Sequence, residues 1–62
     1  MSNEKRFVEL YDERIDKVVY VNPSLITAFV YDENTNETLI TFVGDSTYTS
    51  ISGDHCAALT RA

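Results

Sequence analysis

Five runs along this chain place apolar residues at the spacing of extended backbone, and short polar or charged segments separate them. Residues 6–11 (RFVELY) alternate, with Phe7, Glu9 and Tyr11 on one side and Val8 and Leu10 on the other. The charge of Glu9 makes Val8 and Leu10 the expected core face, with Phe7 and Tyr11 partly covered. Residues 12–16 are charged and read as a turn. Residues 17–21 (KVVYV) form the second strand, because three valines and a tyrosine favour a pleated backbone over a helix.

Asn22, Pro23 and Ser24 end that strand. Pro23 lacks an N–H and disfavours helical geometry at Asn22, while the Asn and Ser side chains can bond nearby backbone. Residues 25–31 (LITAFVY) are almost continuously apolar, as a central strand covered partly on both faces would be; a helix could also use this run, but its β-branched and aromatic residues favour the strand. A polar loop at 32–36 leads to a fourth strand at 37–43 (ETLITFV), and Gly44-Asp45-Ser46 supplies a turn in which Gly44 can take a positive φ. A weaker fifth strand at 47–51 is expected at an edge. In the last segment, 52–62, Ser52 or Asp54 can cap a short helix with Ala57, Ala58 and Leu59 as its apolar face.

Short connections favour sequential antiparallel pairing. The expected fold is therefore mainly β, a small antiparallel five-stranded meander or a partly closed barrel with a short C-terminal helix. Residues 1–5 read as a flexible N-terminus, 6–51 as the β domain and 52–62 as helix or tail.

Sixty-two residues make one domain. A chain this short buries only about 60% of the surface its unfolded form exposes, so its stability is marginal unless a disulfide, a metal or association helps, although a domain of this size can also fold alone. Cys56 is the only cysteine, which leaves association. The formal charge of −5 repels phosphate backbones and anionic lipids and suits a protein partner with a basic surface. No apolar run is long enough to span a membrane, and the polar start at 1–6 lacks a signal-peptide core, so the chain reads as cytoplasmic. On that reading the sequon at Asn36 carries no weight.

The candidates for chemistry are sparse. His55 and Cys56 could pair as base and nucleophile, but neighbours on a helix point about 100° apart. The carboxylates Asp12, Glu13 and Asp16, and likewise Asp32, Glu33 and Glu37, read as solvated turn residues. The second group lacks the glycine and spacing of a calcium loop. Gly44 and Gly53 follow no phosphate-cradling pattern. The sequence thus predicts no catalytic residue, metal or cofactor, and the expectation is a protein that is not an enzyme.

The aromatic residues matter more. A short helix can cover only part of one sheet face, so Tyr20, Phe29, Tyr31, Phe42 and Tyr48 are the candidates for a protein interface, the first four expected on central strands. The leading expectation is a noncatalytic protein-binding or regulatory module that forms a homodimer or small homo-oligomer. Two alternatives are a small nucleic-acid-associated barrel stacking bases on Phe29, Tyr31 or Tyr48, and an accessory domain of an enzyme.

The opening FVEL, then VYVNPSLI, then TLITFVG with Tyr48 and Ser52 following, resembles the FlbD-like family of small flagellar and swarming-motility proteins. Val8 and Leu10 match its opening pair, Asn22, Leu25 and Ile26 its central motif, Thr38, Ile40 and Gly44 its next strand and turn, and Tyr48 and Ser52 its last element. The chain departs from the family at Asp45-Ser46, where a basic residue is usual, and in its shorter C-terminal helix. The resemblance implies a motility accessory acting through protein contacts. Small bacterial or phage adaptors and inhibitors are similar in type.

Overall fold

The computed structural model describes residues 6–62; the expected flexible segment 1–5 lies outside the described residues. Its elements are β1 (Val8–Asp12), β2 (Lys17–Val21), a one-turn 3-10 helix (Pro23–Leu25), β3 (Ile26–Asp32), β4 (Glu37–Phe42), β5 (Thr49–Ser52) and α1 (Cys56–Arg61). All strand pairing is antiparallel and joins neighbours in sequence, giving a mainly β fold with a short C-terminal helix.

The meander is divided. β1 and β2 form one two-stranded sheet, and β3, β4 and β5 form a second in that order. The break falls at the turn that Asn22 and Pro23 make. Asn22 Oδ1 accepts the Ser24 N–H at 3.0 Å and the Ser24 hydroxyl at 2.7 Å, and the Leu25 N–H donates to the Asn22 carbonyl at 3.1 Å. This one-turn helix redirects the chain so that β3 leaves β2 and pairs with β4. The barrel alternative therefore does not hold, since β2 and β3 form no ladder with each other.

The two sheets face each other across a core of Leu10, Val21, Ile40, Ile51 and Leu59. Val8, Val19, Ile26, Phe29, Phe42 and Ala58 pack around it. Strand periodicity explains the set: in β1 and β2 every second side chain turns inward, and β4 contributes Thr38 and Ile40 from one face.

Helix α1 is too short to hold itself, and a buried hydroxyl fastens its start. Thr38 is fully buried; its Oγ1 donates to the Gly53 carbonyl at 2.7 Å and accepts the His55 N–H at 2.9 Å. The His55 ring lies over the same turn, with Nε2 at 2.7 Å from the Ser52 carbonyl. A carbonyl only accepts, so that nitrogen carries the proton. Neither expected cap holds the N-cap position, which falls to His55 with no side-chain capping bond; Asp54, one residue earlier, accepts the Cys56 N–H on its Oδ1 at 3.1 Å.

Candidate functional site

The β1/β2 hairpin has two faces of opposite character. Its register sets Leu10 against Val19 and Val8 against Val21 on the core side, and Tyr11 against Val18 and Glu9 against Tyr20 on the other. Phe7 precedes β1 in phase with Glu9 and Tyr11. On this outer face Phe7 is 56% exposed, Tyr11 49%, Val18 43% and Tyr20 62%. Ile15 adds another exposed apolar side chain at the hairpin tip. An aromatic side chain carries roughly 150–250 Å², so these residues leave on the order of 400 Å² of apolar surface in water. A patch of that size on a monomer is often functional.

The five interface candidates do not gather in one place. Tyr20 stands on the outer hairpin face, whereas Phe29 and Phe42 pack against the core. Tyr31 is half-buried, and its hydroxyl donates to Asn36 Oδ1 at 2.6 Å. Tyr48 is exposed in the loop before β5, because that strand starts at Thr49 and not at residue 47. Of the four expected on central strands, only Phe42 lies on a strand with two neighbours, β4, and it stands beyond the end of β5, paired with Ile26 of β3 alone. Gly44 turns the chain after β4 with φ of 86°, and the Asp45 N–H closes that turn on the Phe42 carbonyl at 3.1 Å. Phe7 and Tyr11, expected to be partly covered, join Tyr20 on its face.

The hairpin is held to the second sheet through its tip. Asp12 is only 3% exposed, although its segment reads as a solvated turn. Its carboxylate accepts the Arg14 N–H at 2.9 Å, the Arg14 guanidinium at 3.3 Å and the Ser52 amide of β5. Arg14 also pairs with Glu37 and donates to the Ser50 carbonyl at 3.2 Å. Burial is the largest single influence on the Asp12 carboxyl and raises its pKa. The hydrogen bonds from Arg14 and Ser52 and the Arg14 charge together outweigh it, leaving the pKa below the ordinary aspartate value. Asp12 and Arg14 thus satisfy backbone groups of β5 that would otherwise invite another strand.

The two hairpin turns are built alike. Tyr11-Asp12-Glu13 and Tyr31-Asp32-Glu33 each open a four-residue loop that ends in a left-handed residue, Asp16 with φ of 55° and Asn36 with φ of 56°. In each, the aspartate accepts the N–H two residues on, and the tyrosine hydroxyl donates to the left-handed residue's side chain. The side chain therefore stabilises a backbone geometry that is rare outside glycine. The Tyr11 pKa is raised, first by its bond to Asp16, then by burial and the charges of Glu13 and Asp12.

The remaining chemistry is weak. Burial, and then Asp54, pushes the Cys56 thiol up, opposite to the shift that activates a nucleophile. Among the described residues no three His, Cys, Asp or Glu side chains group to hold a metal ion. A shallow hollow of about 240 Å³ lies between Arg6, Asn22, Pro23, Ser24 and Ala62. Among the described residues no helix is long and apolar enough to cross a membrane. No family model, no curated protein and no solved structure matches the chain.

Proposed function

We propose that this chain is a noncatalytic protein-binding or regulatory module whose contact surface is the outer face of the β1/β2 hairpin. One observation carries the reading: Phe7, Tyr11, Val18 and Tyr20 stand together in solvent on a hairpin whose opposite face is core. Aromatic side chains give large contact area at small entropic cost and are frequent anchors at interfaces. Glu9 lies within the patch and Glu13 and Asp16 beside it at the tip, so a partner with a basic rim fits best. A lone free thiol such as Cys56 suits a reducing compartment, which favours a cytoplasmic setting. Taken with the FlbD-like pattern at Asn22, Leu25 and Ile26, the reading extends to an accessory role in bacterial motility.

Affinity capture from the native cell tests this, comparing the wild-type chain with a Phe7→Ser, Tyr11→Ser double variant. Both positions keep about half their surface in solvent and the Tyr11 bond to Asp16 is itself exposed, so the variant is expected to fold, with an unchanged circular dichroism spectrum as the check that the turn survives its loss. The reading requires a protein that the wild type retains and the variant loses. Equal recovery by both chains would overturn it.

A further inference from the structure

The strand edges of this fold are not equally protected. β5 is met by Arg14 at the Ser50 carbonyl and by Asp12 at the Ser52 amide. β3 carries a register irregularity between Ile26 and Ala28, and helix α1 packs beside it. β1 lies next to β5 and α1 on the side away from β2. β2 is different: Lys17–Val21 has no bulge and no proline, and its only charge is Lys17 at the first position. Regular strand edges without such devices are the ones that recruit another strand.

From this we infer that β2 pairs antiparallel with β2 of a second copy, centred on Val19, to make a four-stranded sheet across a two-fold axis. The sequence around Val19 suits that register. Val18 falls opposite Tyr20 of the second copy, and Tyr20 opposite its Val18, two β-branched/aromatic pairs of the kind that stabilise sheets. Val19 meets Val19, and Lys17 meets Val21, so no two like charges face each other. Antiparallel pairing also sends the acidic tips, with Glu13 and Asp16, to opposite ends. Five residues span about 17 Å, roughly two screening lengths at physiological salt, so the net charge of −5 opposes this arrangement only weakly. The inference deepens the protein-binding reading by naming a second copy as one partner, and it doubles the aromatic face by setting two hairpins edge to edge.

Sedimentation equilibrium at micromolar to millimolar concentration tests it with register-specific charges. Val18 and Tyr20 are both exposed, so substitution there leaves the core intact. The wild type is expected to sediment at twice the 7.0 kDa chain mass at the upper concentrations. Val18→Lys with Tyr20→Lys sets like charges opposite each other twice and weakens the dimer about tenfold or more. Val18→Glu with Tyr20→Lys sets opposite charges against each other and restores association. A wild type that stays monomeric throughout, or two double variants that behave alike, would overturn the inference. A monomer that still captures its partner through Phe7 and Tyr11 would leave the functional reading standing while this inference falls.

Discussion

Replacing Thr38 by valine keeps the shape of the side chain and removes a buried hydroxyl that joins β4 to the turn before α1. The Thr38 hydroxyl serves two partners, the Gly53 carbonyl at 2.7 Å and the His55 N–H at 2.9 Å, from a fully buried position. Valine leaves both backbone groups without a partner where water has poor access. An unsatisfied buried group costs about 1–3 kcal/mol, and both partners here are part-buried, so the expected loss is about 2–4 kcal/mol. A chain of this size has a total stability of about 3–9 kcal/mol, which makes that a large fraction. With roughly 4–8 °C of Tm per kcal/mol, the melting temperature falls by about 8–30 °C. Thr38→Ser is the control, because it keeps both hydrogen bonds and loses one methyl, at about 1 kcal/mol. Urea unfolding followed by circular dichroism ranks the three chains, and amide exchange at His55 reports the local effect. The order expected is wild type, then serine, then valine, with His55 exchanging fastest in the valine variant. A valine variant as stable as the serine one would refute the latch.

Asp12 gives the fold a pH dependence of definite sign. Its folded pKa lies below the ordinary 3.8, so its contribution is complete above that value and is lost as the pH falls through the lower folded value. The stability difference between wild type and Asp12→Asn should therefore be constant above pH 3.8 and shrink below it; urea unfolding across that range would contradict this by showing a difference that holds or grows. Gly44 and Gly53 both have positive φ, but a Cβ at Gly44 meets open space while one at Gly53 comes within 3.4 Å of His55 Nε2. Thermal melts should show Gly44→Ala and Gly53→Ala each costing about 1–2 kcal/mol from the left-handed φ, since the His55 ring stands at contact distance from the added methyl; no loss at either position would argue against the positive φ there. Because burial and Asp54 raise the Cys56 pKa, iodoacetamide should modify this thiol more slowly than a free cysteine at pH 8, and Asp54→Asn should speed the reaction. A faster reaction than that of free cysteine would contradict the protected environment.

Strand periodicity and turn chemistry carry most of the fold into the sequence. The KVVYV run occupies 17–21 in both readings, and Asn22-Pro23 and Gly44 turn the chain where their backbone preferences require. Alternation separates Phe7 and Tyr11 from Val8 and Leu10, yet it cannot say how fully the first pair is left in solvent. That depends on β3, β4 and β5 covering one side of the hairpin only. A turn after β2 is legible at Pro23, but the loss of pairing between β2 and β3 is not, because it follows from where β3 finds β4. Asp12 reads as a solvated turn residue since its burial comes from packing against β5, and of the groups that offset it Arg14 is local while the Ser52 amide is far away in sequence. The repeat of Tyr-Asp-Glu at 11–13 and 31–33 is a local signal that marks both turns as one design. Thr38 gives no sign in the sequence of its role, which exists only once Gly53 and His55 are brought to it.

The proposed contact surface is the outer face of the β1/β2 hairpin. Photo-cross-linking in the native cell tests it most directly, with a benzophenone amino acid placed at Tyr11 in one chain and at Val30, exposed on the other sheet, in a second. Protein adducts are expected from position 11 and none from position 30. Adducts from Val30 alone would contradict the proposal.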